Sequence, residues 1–221
     1  MMKSARKRCG TAVLAMLAVL TLAGCQTAYY GTMEKFGYEK RDILVDRVED
    51  ARGAQQEAKQ QFENALEQFI AVTDFQGGEL EDQYRKLKSE YDASESRAGK
   101  VSDRIRDVER VARDLFAEWE HELKQYTSQD LRRTSERQLA DTRRHYDTLI
   151  DKMRRAEHRI EPVLNAFRDR VLFLKHNLNA QAISSLRADR AEVESDIAAL
   201  VAEMNASIAE ADAFIQRMSA D

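Results

Sequence analysis

One proline and eight glycines in 221 residues are too few for a chain built of turns and short strands, because those residues punctuate such folds. Cysteine is as scarce. Cys9 and Cys25 are the only two, so the chain beyond residue 25 offers neither a disulfide framework nor a thiolate zinc site. The four histidines are scattered, with no pair at zinc-ligand spacing. A Gly-x-x-x-x-Gly-Lys-Ser/Thr loop is missing, which leaves ATP binding without support, and no Gly-x-Ser-x-Gly elbow accompanies the serines. The longest apolar run, Thr11 to Leu20, is too short to span a bilayer. A basic excess is also lacking: 35 Lys and Arg face 39 Asp and Glu, a poor footprint for nucleic acid.

What is present is charge and helical periodicity. A third of the residues are charged, and the chain is rich in Ala, Glu, Arg, Leu and Gln, a composition of long helices or coiled coil. Disorder is the alternative for so charged a chain, but apolar residues recur too regularly for it. A first helix is expected from about Thr32 to Phe75, with Leu44, Ala51, Ala58, Ala65 and Val72 on one seam and Val48, Phe62 and Phe69 on the other. Gln76-Gly77-Gly78 breaks the pattern, and its glycines suit a left-handed helix end. A second helix, Glu79 to Tyr126, carries Tyr84, Tyr91, Ala98, Ile105, Ala112, Trp119 and Tyr126 beside Leu80, Leu87, Ser94, Val101, Val108 and Leu115, a coiled-coil seam.

The register slips at Thr127-Ser128-Gln129-Asp130, where Thr127 and Asp130 resemble a capping box; a continuous rod is the alternative. A third helix comes next with Leu139, Tyr146, Met153, Ile160, Phe167 and Leu174, and with Thr142, Leu149, Ala156 and Val163. Pro162 is expected to kink it. His176 to Gln181 is a weak point, after which Ser184 or Ser185 caps a fourth helix carrying Leu186, Val193, Ile197, Leu200, Met204, Ala211, Phe214 and Met218. The fold expected is all-α, an elongated antiparallel bundle or coiled coil of three to four long helices, formed by residues 32–221 as one domain. Long seams close within one chain or between copies, so a homo-oligomer stays open.

Candidate chemistry is sparse. Glu118 and His121 make a Glu-x-x-His pair, half of a ferritin-like di-metal signature. No second pair exists, and Trp119 takes the seam position between them. The expectation is therefore no metal, no cofactor and no catalytic residue. Charged stretches such as Arg104 to Asp107 and Arg143-Arg144 read as solvated faces with i,i+4 pairs. Tyr29, Tyr30, Phe36 and Tyr38 are candidates for a membrane interface, since they stand a few residues beyond Cys25.

Lys3, Arg6, Lys7 and Arg8 precede the apolar run, and Leu22-Ala23-Gly24-Cys25 ends it. This segment resembles a bacterial lipoprotein signal with its lipobox. The resemblance implies a signal peptide over 1–24, cleavage between Gly24 and Cys25, lipidation (palmitate included) on Cys25 and a tether over 25–31. Removing the four basic residues leaves 31 against 39 acidic ones, a formal charge of −8. Gln26 comes after the cysteine where aspartate commonly retains such proteins in the inner membrane, so the resemblance implies the periplasmic face of the outer membrane. The murein lipoprotein is also helical and lipid-anchored, but it is shorter and ends in lysine, whereas this chain ends Met218-Ser219-Ala220-Asp221. Through Tyr29 to Lys35, Asp74 to Leu80 and Phe173 to Ala180 the chain also resembles an uncharacterised proteobacterial envelope family with a domain of unknown function.

The function expected is a non-enzymatic structural or interaction scaffold in the periplasm, anchored to membrane by its lipid. Its partner would be an envelope protein or peptidoglycan and not nucleic acid. Lipid binding or membrane shaping is the second reading, and a metal-dependent bundle enzyme the third.

Overall fold

The computed structural model describes residues 40–77 and 79–220. The sites read from the N-terminal sequence (Gly24, Cys25, Tyr29, Tyr30, Phe36, Tyr38) lie outside the described residues. Among the described residues five helices succeed one another: α1 Lys40–Thr73, α2 Leu80–Glu122, α3 Gln129–His176, α4 Ala180–Ala188 and α5 Arg190–Ala220. Among the described residues there is no strand. The chain divides into two compact units, Met1–Ile43 and Leu44–Asp221. The second unit holds the helix packing.

The heptads do what their spacing demands. Every seam residue expected on α1 is buried, as are Leu87, Ser94, Ala98, Val101, Ile105, Val108, Ala112 and Leu115 on α2. Leu139, Leu149, Met153, Ala156, Ile160, Val163, Phe167 and Leu174 of α3 are buried with them. The large aromatic seam residues Tyr84, Tyr91, Trp119 and Tyr146 are half-buried, with the Trp119 indole donating to Ser135 (2.7 Å) and the Tyr91 hydroxyl to Glu95 (2.9 Å).

Cross-helix bonds fix the arrangement. Glu57 meets Arg97, Gln61 donates to Glu90 (2.6 Å) and Gln68 to Gln83 (3.1 Å), so α1 and α2 run antiparallel. Arg52 pairs with Asp212 (2.5 Å), Lys59 with Asn205 (3.2 Å) and Asp74 with Arg190 (3.1 Å), a constant antiparallel register of α1 on α5. Glu109 with Arg154 (2.8 Å) and Glu120 with Arg143 (2.8 Å) do the same for α2 and α3. Lys152 with Glu210 (2.7 Å) ties α3 to α5, and that bond, with a second from Arg217 (2.9 Å), holds the Glu210 carboxyl below its usual range. Phe69 and Phe167, with ring centroids 6.0 Å apart, join α1 to α3. The unit is thus an up-down-up-down bundle of α1, α2, α3 and α5, with α4 as a short bridge.

The boundaries correct several expectations. Helices two and three are not one rod: α2 stops at Glu122, and Ser128, not Thr127, caps α3 by accepting from the Leu131 amide (3.4 Å). Tyr126 therefore falls in the turn and is exposed, instead of in a seam. The fourth helix is divided. Asn179, not Ser184 or Ser185, caps α4 by accepting from Ala182 (3.0 Å), and Asp189 separates α4 from α5. α1 ends two residues early, and Gly77 shows no positive φ; Gly78 is outside the described residues. What closes α1 is Arg187, whose Nε and Nη2 both donate to the Thr73 carbonyl (3.0 and 2.7 Å). α3 runs through Pro162 without interruption.

Candidate functional site

A groove of about 440 Å³ runs between α2 and α3 on the outside of the bundle. On α2 its wall is Tyr91, Glu95, Ala98, Gly99 and Ser102, positions that recur on one helix face. Three of these are small, and the space beside Gly99 is open: a Cβ there would meet nothing within 4 Å. The α3 wall supplies longer side chains, among them Arg154, Glu157, His158, Glu161 and Arg168. Small residues opposite large charged ones leave a trough between the two backbones.

The charges in the trough are mostly engaged. Arg154 donates to Glu109 across the helices (2.8 Å through Nε) and to Glu157 on its own helix (2.5 Å). These carboxylates hold its guanidinium more firmly protonated. The Tyr91 hydroxyl donates to Glu95 (2.9 Å), and burial, then that bond, pushes its phenol up. Pro162 has no amide hydrogen, so the His158 carbonyl four residues before it lacks a helical donor. That acceptor stands on the same helix face as Glu161 and Asn165 in the trough wall. The arrangement offers donors and acceptors along a polar channel.

The other sequence candidates disperse. Glu118 is half-buried and His121 exposed, and among the described residues no group of three or more His, Cys, Asp or Glu could hold a metal ion. No described helix is long and apolar enough to cross a membrane. Arg104 and Arg110 both reach Asp107 at i,i+3 (3.3 and 2.5 Å), one residue closer than the expected pairing. Arg143 does more than solvate a face. It bridges to Glu120 and lies 5.1 Å over the Phe116 ring, which itself meets Tyr146 edge-on at 5.4 Å.

Sequence reading missed the groove. The available signal was Ala98-Gly99 inside a helical pattern, since a glycine there costs helix stability and often marks a close approach or an opening.

Residues 29–218 match a family described as a protein of unknown function (DUF2959), and the chain belongs to that family. No curated protein and no solved structure matches it.

Proposed function

We propose that this member of the DUF2959 family is a lipid-anchored protein of the bacterial envelope, held at the periplasmic face of the outer membrane, that acts as a non-enzymatic scaffold. The observation that carries the reading is how the charged side chains are used. Pairs such as Arg97–Glu57, Arg154–Glu109 and Lys152–Glu210 tie one helix to the next, and many others alternate in sign along solvated faces. A bundle so built is a stiff body with a mixed-charge surface, suited to docking an envelope protein or peptidoglycan. The lipobox-like Leu22-Ala23-Gly24-Cys25 supports the attachment.

Lipid binding by an opened bundle is the second reading, favoured by α1. Its core positions Ala51, Ala58 and Ala65 are small and alternate with the fully buried Phe62 and Phe69, an apolar stripe that a released α1 would present to lipid.

The test is photo-cross-linking in cells from Lys100 and Arg104, exposed positions on α2. A discrete adduct shared by both positions and lost in Cys25→Ser is expected. Adducts only with abundant outer-membrane neighbours, unchanged in Cys25→Ser, would overturn the scaffold.

A further inference from the structure

Fixed pairs set the register of α1 on α5. Arg52 meets Asp212, Lys59 meets Asn205 and Asp74 meets Arg190, so the two buried seams align layer by layer. Phe62 falls near the level of Leu200 and Phe69 near that of Val193, large against large. Ala51 falls near Ala211 and Gln55 near Ser207, and all four are buried. Two successive layers thus hold methyl groups and unbonded polar groups, where the layers beyond hold rings and branched chains.

Buried polar atoms without a partner gather at the same place. Six side-chain atoms are left so among the described residues, and four of them belong to Arg52, Gln55 and Ser207. Each would be hydrated in an opened state, so the closed state carries their desolvation uncompensated. Gly53 stands between Ala51 and Gln55. A Cβ there would meet nothing within 4 Å, so packing does not require a glycine, and what remains is its weakening of the helix. The facing stretch of α5 has no such break: Ala206, Ala209, Ala211 and Ala213 are strong helix formers. A bend therefore falls on α1.

The two halves of α1 are held unequally. Beyond Gln55, Phe69 meets Phe167, and Arg187 donates twice to the Thr73 carbonyl. The pairs of Glu57, Gln61 and Gln68 with α2 are on this side as well. Before Gln55, Leu44 and Val48 are fully buried, near Met218 and Phe214 by the same register. Arg52 and Asp212 are 38% and 44% exposed, and an ion pair that wet stabilises little.

We propose that α1 hinges at residues 53–55: the arm 44–52 lifts from α5 as a helix while 58–73 stays docked. Lifting hydrates Gln55 and Ser207 and uncovers Leu44, Val48, Phe214 and Met218. Small residues beside a polar layer absorb the bend. The hinge deepens the lipid-binding reading, and rests on it for a role, by confining the opened part of the bundle to one arm. The hinge itself is tested without lipid.

That test is native-state hydrogen exchange of the full chain in detergent, with sub-denaturing urea. Amides of 44–52 are expected to exchange together, well before those of 62–73 and with a smaller urea dependence, as in a local opening. Gln55→Leu and, separately, Gly53→Ala should slow exchange in 44–52, the first by about tenfold. Exchange of 44–52 at the rate and urea dependence of 62–73 overturns the hinge. So does a gradient inward from Leu44 that neither substitution moves, since that is fraying. A second arm uses vesicles of phosphatidylethanolamine and phosphatidylglycerol with a diazirine in the acyl chain. Adducts on 44–52 and 211–218, reduced in Gln55→Leu, are expected. Local exchange without such adducts keeps the hinge and removes lipid as what the arm meets. Adducts without local exchange overturn the hinge and leave lipid binding standing.

Discussion

Gln55 and Ser207 are fully buried, and neither the Gln55 amide nor the Ser207 hydroxyl has a hydrogen-bond partner among the described residues. Both occupy heptad positions, Gln55 between Val48 and Phe62, Ser207 between Leu200 and Phe214. The flanking pairs Arg52–Asp212 and Lys59–Asn205 set them in one layer of the α1–α5 interface. An unbonded buried amide costs about 1–3 kcal/mol, and a polar residue at a core position sets register at the expense of stability. Gln55→Leu is therefore expected to raise the unfolding free energy by about 1 kcal/mol or more, read from urea melts; a lower midpoint would refute the cost. Tyr146 supplies a pH-dependent term. Burial first, then the nearby Glu109 and Asp147 charges, push its phenol up to about 12, against about 10 in the unfolded chain. The neutral ring's contribution is complete below about pH 10 and is lost as pH rises toward 12. Urea midpoints of Tyr146→Phe should fall less steeply than wild type across that window, and equal slopes would remove the assignment. The seam residues themselves were legible because burial repeats every seven positions. Tyr126 was misread for the same reason: the repeat continues in the sequence past the point where the helix stops. Gln55 broke the pattern in plain view, but a single polar residue in a seam does not reveal whether its partner is protein or solvent.

Helix existence and order were readable from apolar spacing, whereas helix ends were not. Thr127 and Ser128 are both good N-caps, as are Asn179, Ser184 and Ser185, and local sequence gives no reason to prefer the ones chosen. Tertiary packing decides: Asn179 starts α4 early enough for Ala182, Ile183 and Leu186 to be buried. The end of α1 is a sharper case. Its cap is supplied from a residue over a hundred positions away, as two N–H groups of Arg187 converge on the Thr73 carbonyl at the negative end of the helix dipole. The Thr73 hydroxyl, also buried, donates to Ile70 (2.8 Å). No local motif could have announced that contact. Arg187→Ala should lower stability by about 1–2 kcal/mol, because a buried carbonyl loses a charged donor. Arg187→Lys should recover only part, since an ammonium lacks the planar fork. Chemical denaturation of the three proteins checks the order; an alanine variant as stable as wild type would show the contact to be incidental. The groove belongs to this scale too. Gly99 and Ala98 on α2 and Pro162 on α3 are legible one by one, but only the α2–α3 register sets them across from each other.

Across the unit Leu44–Asp221 the helices are unequal, with 43 and 48 residues in α2 and α3 against 31 in α5. The excess is gathered at one end. Between Gln129 and Thr148 α3 buries only Ser135 and Leu139, while from Leu149 to Leu174 it buries eight residues. On α2 the last buried residue is Phe116. Among the described residues, then, the α2–α3 hairpin leaves a four-helix section and continues as two helices. That part is held by Leu115, Phe116, Leu123 and Leu139 and by the hydrogen bond from the Trp119 indole to Ser135 (2.7 Å). Local opening free energy tracks buried apolar contact, so protection from hydrogen exchange should fall along both helices toward the turn. Peptides from 113–122 and 129–148 should exchange well before those from 94–108 and 153–171 in the detergent-solubilised chain. Uniform protection along α2 would mean that the two-helix part is as tightly closed as the rest.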